Sequence, residues 1–301
     1  MKAIQYTEFG GPDVLKMVEV DAPHAGPGEV RIAVRAAGIN PADWKRFTGL
    51  FRDFMKIELP AGVGFEAAGI VDELGEGITG IALGDAVFGL AADAMAEYAV
   101  LSSWAAKPDD MPFEVAGGLA VVAETGTRAI DQVGVEAGQT LLVNGAAGGV
   151  GSAVIQLARA RGITVIGTAS EAKHDYLRGL GAIPTTYGPG LADRVKRLAP
   201  DGVDAALDLA GSGIIPELID IVGEPSRVLS IVDFSAPEHG AQFSTRPQDR
   251  PERALAEAAQ LYSEGAFRLH LAKVFPFAQV GDAYALSEEG HVTGKLVVSL
   301  A

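Results

Sequence analysis

The chain has 301 residues, more than one hydrophobic core usually holds, and its 48% apolar and 21% charged residues predict two well-packed globular domains. With 39 acidic and 24 basic residues the net charge is −15, which argues against nucleic acid or an anionic membrane as a partner, because phosphate binding needs clustered Lys and Arg. There is no cysteine, which excludes disulfides, thiolate metal sites and a cysteine nucleophile.

The opening residues of the chain lack the apolar run of a signal peptide, and no uncharged stretch of the chain is long enough to span a membrane, so we expect a cytoplasmic protein.

The first third of the chain is predicted to be rich in β-strands. Residues 29–36 alternate polar and apolar side chains, as a half-buried strand does. Further short strands, separated by glycine-rich turns, are predicted at 69–71, 86–88 and 97–100. Irregularly spaced strands without long helices indicate a small, partly open barrel.

From residue 113 onward, helical and strand patterns alternate. After a predicted helix at 114–131, this alternation predicts an α/β fold with a doubly wound parallel sheet. The tail at 294–300 is a strand again, and we expect it to return to the first domain. The strands are predicted at 140–144, 163–168, 183–187, 204–209 and 227–232, and the helices at 150–161, 171–180, 191–198, 214–222 and 251–264.

A glycine loop lies between the first of these strands and its helix. Glycines at Gly145, Gly148 and Gly151 allow the backbone to turn sharply and to approach a pyrophosphate, whose charge then lies at the helix N-terminus. A turn with only a packing role is also rich in glycine, but this position early in a βαβαβ series favours a dinucleotide site. The predicted cofactor-binding residues of the loop are Gly145, Ala146, Ala147, Gly148, Gly149, Val150 and Gly151.

The end of the second strand carries information on the ribose of that dinucleotide. An NAD site usually has an acidic residue there, which accepts from the ribose 2′-hydroxyl. Here Ser170 and Lys173 occupy the region, and a hydroxyl with a lysine suits a 2′-phosphate better, although Glu171 between them weakens the argument. The sequence therefore favours NADPH over NADH.

Two segments resemble the zinc-independent quinone oxidoreductases of the medium-chain dehydrogenase/reductase superfamily. They are residues 38–43, which carry the Gly-Ile-Asn-Pro-Ala-Asp motif, and residues 143–151, which carry the glycine loop; weaker matches at 9–12, 28–30, 64–69 and 291–295 follow in the family's order. The resemblance implies a GroES-like β-rich catalytic domain from residues 1–112 and 268–301, a Rossmann domain at 113–267, an active site in the cleft, and commonly a homodimer joined at the Rossmann sheet edges.

The same resemblance argues against zinc. Zinc-dependent relatives carry Cys where Asn40 stands and His where Phe65 stands, and only Glu66 is retained. Catalytic zinc uses three protein ligands, so we predict a metal-free site. Without zinc, hydrogen-bond donors or a reactive substrate must stabilise the oxyanion that forms on hydride transfer, which suits quinones and conjugated enones.

The resemblance also implies roles for particular residues, each with a structural alternative. Asn40 is a catalytic amide donor or a turn residue; Trp44 contacts substrate or fills the barrel edge; Thr125 faces the nicotinamide or bonds back to a helix carbonyl. Its neighbour Glu124 is unusual for the family, and either tunes the site or faces water. The further cofactor-binding residues implied are Tyr187 against the adenosine phosphate, Val232 and Phe234 beside the nicotinamide, and Gly294 and Lys295 from the returning tail.

The expected activity is reduction of a small hydrophobic quinone, enone or similar carbonyl compound with NADPH. The apolar segment 51–60 and the turn at 90–95 predict a hydrophobic substrate. An enoyl-thioester reductase is the nearest alternative, but Phe51 stands where such enzymes carry a catalytic tyrosine. A non-catalytic NADPH-binding sensor is the second alternative.

Overall fold

The computed structural model describes residues 1–53, 56–244 and 250–300. Packing divides the chain into two compact units, one formed by Met1–Val121 with Pro251–Ala301 and the other by Val122–Arg250. Both chain ends thus belong to the first unit. No helix within the described ranges is long and apolar enough to cross a membrane. Phe54 and Met55 of the predicted apolar segment lie outside the described residues.

In the described part of the chain, the elements before residue 140 are seven strands and three α-helices. The strands are β1 (Lys2–Tyr6), β2 (Lys16–Glu19), β3 (Val30–Ile39), β4 (Ala61–Gly62), β5 (Glu66–Leu74), β6 (Ala86–Ala91) and β7 (Tyr98–Ala106), and the helices are α1 (Pro41–Phe47), α2 (Phe113–Gly117) and α3 (Ala120–Val133).

The glycine-loop region and the return to the first unit contain the remaining elements. The alternating series comprises β8 (Thr140–Asn144), α4 (Gly149–Ala160), β9 (Thr164–Thr168), α5 (His174–Leu180), β10 (Ile183–Thr185), α6 (Leu191–Leu198), β11 (Ala205–Asp208), α7 (Ile215–Val222), β12 (Val228–Ser230) and β13 (Gln242–Phe243). The return comprises α8 (Pro251–Ser263), β14 (Leu271–Pro276), α9 (Val280–Glu288) and β15 (Lys295–Ser299).

The first unit is built on a curved antiparallel sheet with one parallel pair at its edge. Its order is β14-β15-β3-β5-β6-β7, and β3 also pairs with β7, so that β3, β5, β6 and β7 close into a barrel. Two register shifts between β3 and β5 allow β3 to bend across both neighbours. The returning strand β15 pairs antiparallel with β3, which places Leu296 opposite Ile39. Tyr6, Phe47 and Tyr284 pack in edge-to-face contacts in the core.

The second unit contains the predicted parallel sheet. Its strand order is β10-β9-β8-β11-β12-β13, and every pairing is parallel. The first strand of the series lies at the centre and the chain winds outward on both sides, which is the doubly wound Rossmann arrangement. The side chains of Leu141, Leu142 and Val143 are fully buried, as expected of a central strand covered on both faces. The predicted α/β class is confirmed.

The predicted single helix at 114–131 is wrong in one respect, because the structure breaks it into α2 and α3. The break is explained by close packing in the first unit. A Cβ atom at Gly117 would lie 2.7 Å from the backbone oxygen of Ala36, and one at Gly118 would lie 2.9 Å from Val297 Cγ2. Glycine therefore lets this turn lie directly against the sheet, at the cost of helix continuity.

Candidate functional site

The glycine loop has the geometry that its sequence predicts. Gly145 adopts φ +81°, a left-handed conformation that glycine favours, directly after β8. A Cβ atom at Gly151 would lie 2.5 Å from Gly145 O and 2.7 Å from the Ala146 backbone. Ala146 and Ala147 are buried beneath the loop. Gly145 and Gly151 are therefore required by a turn and a close backbone approach.

The N-terminus of α4 is open to a ligand. Gly148 is its N-cap residue and has no side chain with which to cap the helix, and Gly149 and Val150 open the first turn. A Cβ atom at Gly148 would meet nothing closer than 3.6 Å. Exposed backbone amides and the positive end of the helix dipole form a site for an anionic group such as a pyrophosphate. The loop therefore fits a dinucleotide.

The turn after β9 places Ser170 and Lys173 together. Ser170 precedes a 3₁₀ turn, Glu171–Lys173, and the Lys173 N–H donates to Ser170 O over 2.9 Å. Both residues are partly buried, whereas Glu171 is exposed to solvent. The acidic side chain that weakened the prediction of a 2′-phosphate site thus has room to stay in water.

The other predicted nucleotide residues of the second unit follow strand ends. Tyr187 lies two residues beyond the end of β10, not at the strand end as predicted, and 60% of it is exposed. Arg194 stabilises this turn by donating to the backbone oxygens of Thr186, Tyr187 and Gly188. Past β12, Val232 is partly buried and Phe234 is exposed, with its ring 4.7 Å from the ring of Phe243.

The first unit contains a buried cluster of Asn40, Glu66 and Lys295. Lys295 Nζ lies 2.7 Å from Glu66 Oε1 and donates to Asn40 Oδ1 over 2.5 Å, and Asn40 Nδ2 donates to Glu66 Oε1 over 3.0 Å. The second carboxylate oxygen of Glu66 accepts from Val121 N over 2.8 Å. Lysine only donates and a carboxylate only accepts, so these partners fix the orientation of the Asn40 amide.

Asp43 and Tyr284 extend this cluster. Asp43 Oδ2 accepts from Asn40 N over 2.8 Å and caps α1. Burial raises the pKa of Asp43 to about 7, against the lowering effects of the Asn40 amide and the Lys295 charge. Burial, followed by the charge of Asp43, raises the pKa of the Tyr284 hydroxyl well above its usual value. The sequence motif pointed to Asp43, but no local signal indicated Tyr284.

Trp44 and Gly294 are each close in sequence to a member of this cluster, Trp44 to Asn40 and Gly294 to Lys295. Trp44, in α1, packs against the core of the first unit and is partly exposed, and the Lys45 ammonium lies 5.6 Å from the centre of its ring. The Trp44 indole N–H has no hydrogen-bond partner among the described residues, so it remains a candidate donor. Gly294 directly precedes β15, where the Lys295 N–H donates to His270 O.

In the second unit, Thr125 lies beside a buried ion pair of Glu124 and Arg128, which the sequence analysis did not predict. Arg128 Nε and Nη2 lie 2.8 and 3.2 Å from the two carboxylate oxygens of Glu124, one helical turn away. Arg128 also donates to Ser244 Oγ. Thr125 is buried, and its hydroxyl lies 3.4 Å from Glu124 Oε2. Glu124 is therefore buried and paired with Arg128, which excludes the alternative that it faces water.

A polar layer at the carboxyl ends of four strands was missed in the sequence. Thr168, Asn144, Asp208 and Ser230 are all buried, and each is the last residue of its strand. They are linked in the strand order β9-β8-β11-β12 by side-chain hydrogen bonds. A polar residue closing each apolar strand was the signal that could have revealed the layer.

Ranges 1–53, 56–244 and 250–300 contain no group of three or more His, Cys, Asp or Glu residues placed to hold a metal ion. Glu66, the one zinc-ligand position that the resemblance implied to be retained, pairs with the Lys295 ammonium. In this chain a lysine thus supplies the positive charge beside that carboxylate.

Comparisons with protein families cover both units. Residues 26–109 match the model of the alcohol dehydrogenase GroES-like domain, and residues 189–298 match the model of a zinc-binding dehydrogenase. The first range contains the barrel strands β3, β5, β6 and β7, and the second contains three of the six strands of the parallel sheet, β11 to β13, with most of the returning tail.

Individual relatives agree with the family models. The chain is 31% identical over 316 residues to the chloroplastic NADPH-dependent alkenal/one oxidoreductase of Arabidopsis thaliana, covering 99% of this chain and 79% of the relative. It is 34% identical over 298 residues to the pikromycin polyketide synthase component PikAII of Streptomyces venezuelae, covering 91% of this chain but only 8% of that much longer protein. The quinone oxidoreductase structure from Coxiella burnetii is 31% identical, with a TM-score of 0.85 over 100% of this chain and 99% of the other.

Proposed function

This chain belongs to the medium-chain dehydrogenase/reductase superfamily and is quinone oxidoreductase-like, and from that membership we propose that it is an NADPH-dependent, zinc-free oxidoreductase acting on quinones, enones or similarly reactive carbonyl compounds. When bound, NADPH would supply a hydride, and a substrate of this kind would accept it at an electrophilic carbon.

The observation that carries the proposal is the glycine loop. Gly145 turns the backbone out of β8, Gly151 lets α4 pack directly on that turn, and Gly148 leaves the first helical turn uncapped by any side chain. These three features together present backbone amides to a pyrophosphate. Ala146, Ala147, Gly149 and Val150 complete the proposed contact surface.

The preference for NADPH rests on the turn after β9. Ser170 supplies a hydroxyl just before the 3₁₀ turn and Lys173 a positive charge at its end, while the Glu171 side chain is exposed. The exposed ring of Tyr187 is a further surface for the adenosine phosphate, and Val232 and Phe234 are proposed contacts of the nicotinamide. The name of the Arabidopsis relative, which includes NADPH, supports the same choice.

Asn40 is proposed to be the donor that stabilises negative charge developing on the substrate oxygen. Its amide orientation is set by Lys295 on one side and Glu66 on the other. The hydrogen bond to Glu66 uses one of the two Nδ2 hydrogens, which leaves the other for a substrate. An oriented donor of this kind requires no rearrangement as charge develops. Trp44 and Thr125 remain proposed contacts of substrate and nicotinamide, and Gly294 and Lys295 remain proposed cofactor contacts.

Freedom from zinc is supported by the chemistry around Glu66. A divalent cation at this carboxylate would stand within a few ångströms of the Lys295 ammonium, and like charges at that distance repel strongly. The absence of cysteine from the sequence removes the thiolate ligands that such sites use. A cytoplasmic location and a homodimer belong to the same proposal. In the homodimer, two copies of the chain would pair at the edge of the parallel sheet that β13 forms.

Paired measurements test the proposal. Titration of the protein with NADPH and NADH, followed by turnover with a panel of quinones, enones and enoyl thioesters, should give tighter binding of NADPH and oxidation with quinones or enones. Comparable affinity for both nucleotides would overturn the role of Ser170 and Lys173. Fastest turnover with thioesters would favour an enoyl-thioester reductase, and tight binding without oxidation of NADPH would favour a sensor.

A further inference from the structure

Asp208 is the centre of the polar layer at the carboxyl ends of the parallel strands. Its side chain is fully buried at the end of β11. Asp208 Oδ1 accepts from Asn144 Nδ2 over 3.0 Å, from Gly211 N over 2.8 Å and from Ala210 N over 3.2 Å, and Oδ2 accepts from Ser230 Oγ over 2.9 Å. Four donors converge on one buried carboxylate, which compensates for its loss of hydration.

The carboxylate determines the direction of the hydrogen bonds toward the glycine loop. Because Asp208 only accepts, Asn144 must present its Nδ2 to Asp208 and its Oδ1 to the other side. There Thr168 Oγ1 donates to Asn144 Oδ1 over 2.8 Å, which leaves the hydroxyl oxygen to accept from Gly145 N over 3.3 Å. The Gly145 N–H is thus connected to the Asp208 carboxylate through the side chains of Thr168 and Asn144.

The same carboxylate determines the direction of the hydrogen bonds on its other side. Ser230 donates its hydroxyl hydrogen to Asp208, so its oxygen is available as an acceptor. It accepts from Val232 N over 3.1 Å and from Asp233 N over 2.9 Å. The loop that follows β12 is therefore held by the same acceptor as the glycine loop.

We infer that Asp208 is a positioning residue that holds three loops, at Gly145, at 210–211 and at 232–233, in the conformation that binds the nucleotide. This inference rests on the proposed function for the identity of the ligand. Asp208 touches neither cofactor nor substrate in this account, and it acts through Asn144 and Ser230. Its contribution is to spare the nucleotide the cost of ordering these loops on binding.

Asp208→Asn tests the inference with almost no change in volume. An amide at this position replaces one acceptor by a donor, which opposes either the donors on Oδ1 or the direction of the Ser230 hydrogen bond. The dissociation constant for NADPH should rise about tenfold or more, as expected for loss of hydrogen bonds to a charged group. Amide hydrogen exchange should accelerate at Gly145 and at 232–233. The control is Thr185→Val, a buried residue at the end of the neighbouring strand β10 that lies outside the layer.

Two further variants separate positioning from general destabilisation. Thr168→Val should accelerate exchange at Gly145 but not at 232–233, and Ser230→Ala should do the reverse. These variants also decide the question if Asp208→Asn does not fold. Uniform acceleration across the second unit, or wild-type exchange and affinity in Asp208→Asn, would overturn the inference. If the wild-type protein binds neither NADPH nor NADH, the proposed function fails, and the exchange pattern alone then decides the positioning role.

Discussion

The ammonium group of Lys295 lies 2.7 Å from Glu66 Oε1, and both side chains are almost completely buried in the first unit. The two residues are the first residues of β5 and β15, far apart in the sequence. The pair therefore joins the returning tail to the barrel. It also orients the Asn40 amide, which connects the packing of the unit to the proposed chemistry.

Removing one partner of the Lys295–Glu66 ion pair should destabilise the folded protein strongly. Lys295→Met leaves the Glu66 carboxylate buried without its cation, and we expect unfolding free energy to fall by about 3–5 kcal/mol in urea titrations. The double variant Glu66→Gln with Lys295→Met should recover much of that loss, because no uncompensated charge remains. A loss below about 1 kcal/mol in the single variant, the range of exposed ion pairs, would contradict the buried pair.

Removal of the Asn40 amide should affect turnover and leave nucleotide binding unchanged. Asn40→Ala deletes the proposed oxyanion donor, and losses of about 100-fold in kcat are typical for such donors. The dissociation constant for NADPH and the circular dichroism spectrum should match the wild type. Retention of kcat within a factor of about two in a folded variant would remove Asn40 from the proposed chemistry.

Asp43 should make stability depend on pH. Its pKa is raised from 3.8 to about 7 by burial, so the folded state holds a proton that the unfolded state releases. This favourable contribution is fully present below about pH 4 and is lost as the pH rises through about 7. Relative to Asp43→Asn, the wild type should lose a few kcal/mol of unfolding free energy over that window.

Unfolding at fixed pH values between 3 and 8 for both proteins gives the difference directly. Lys295, Glu66 and Tyr284 are the charged or titratable groups that act on Asp43 and are common to both proteins. A stability difference that is flat with pH, or that changes in the opposite direction, would show that folding does not raise the pKa of Asp43.

Gly151→Ala should damage the glycine loop. The added methyl group would lie 2.5 Å from Gly145 O, so the backbone of the loop must move. We expect the affinity for NADPH to fall about tenfold or more, since the loss of a few well-placed hydrogen bonds has that effect. Gly179→Ala in α5 is the matched control, because nothing lies within 4 Å of its Cβ position, and it should gain about 0.4–1 kcal/mol in stability with wild-type affinity. Equal affinities in the two variants would contradict the close approach.

The fold was predictable because its signals are local. Apolar runs alternating with helical patterns gave the bounds of β8 and α6 without error, and the glycine spacing identified the turn after β8. The resemblance to the medium-chain family, carried by two short motifs, is confirmed by the comparisons. Strands β1, β2, β4, β13 and β14 were not predicted, since each is short or lies at a sheet edge and lacks a clear alternation.

The connections within the candidate site were less predictable because they join distant parts of the sequence. Glu66 and Lys295 are 229 positions apart, and no spacing rule links them. The ion pair of Glu124 and Arg128 follows the helical i,i+4 rule and could have been predicted from the sequence alone. The pairing of Asp208 with its neighbours depends on the order of the strands, which only the folded sheet defines.

The central claim is direct hydride transfer from NADPH to a reactive substrate. The most direct measurement uses NADPH carrying deuterium at C4, in separate preparations labelled on each face, with a conjugated enone as substrate. We predict deuterium on a carbon of the product from one of the two preparations, in equal amount to the NADPH oxidised. Oxidation of NADPH without deuterium in the product from either preparation, or tight binding of NADPH without any oxidation, would contradict the account.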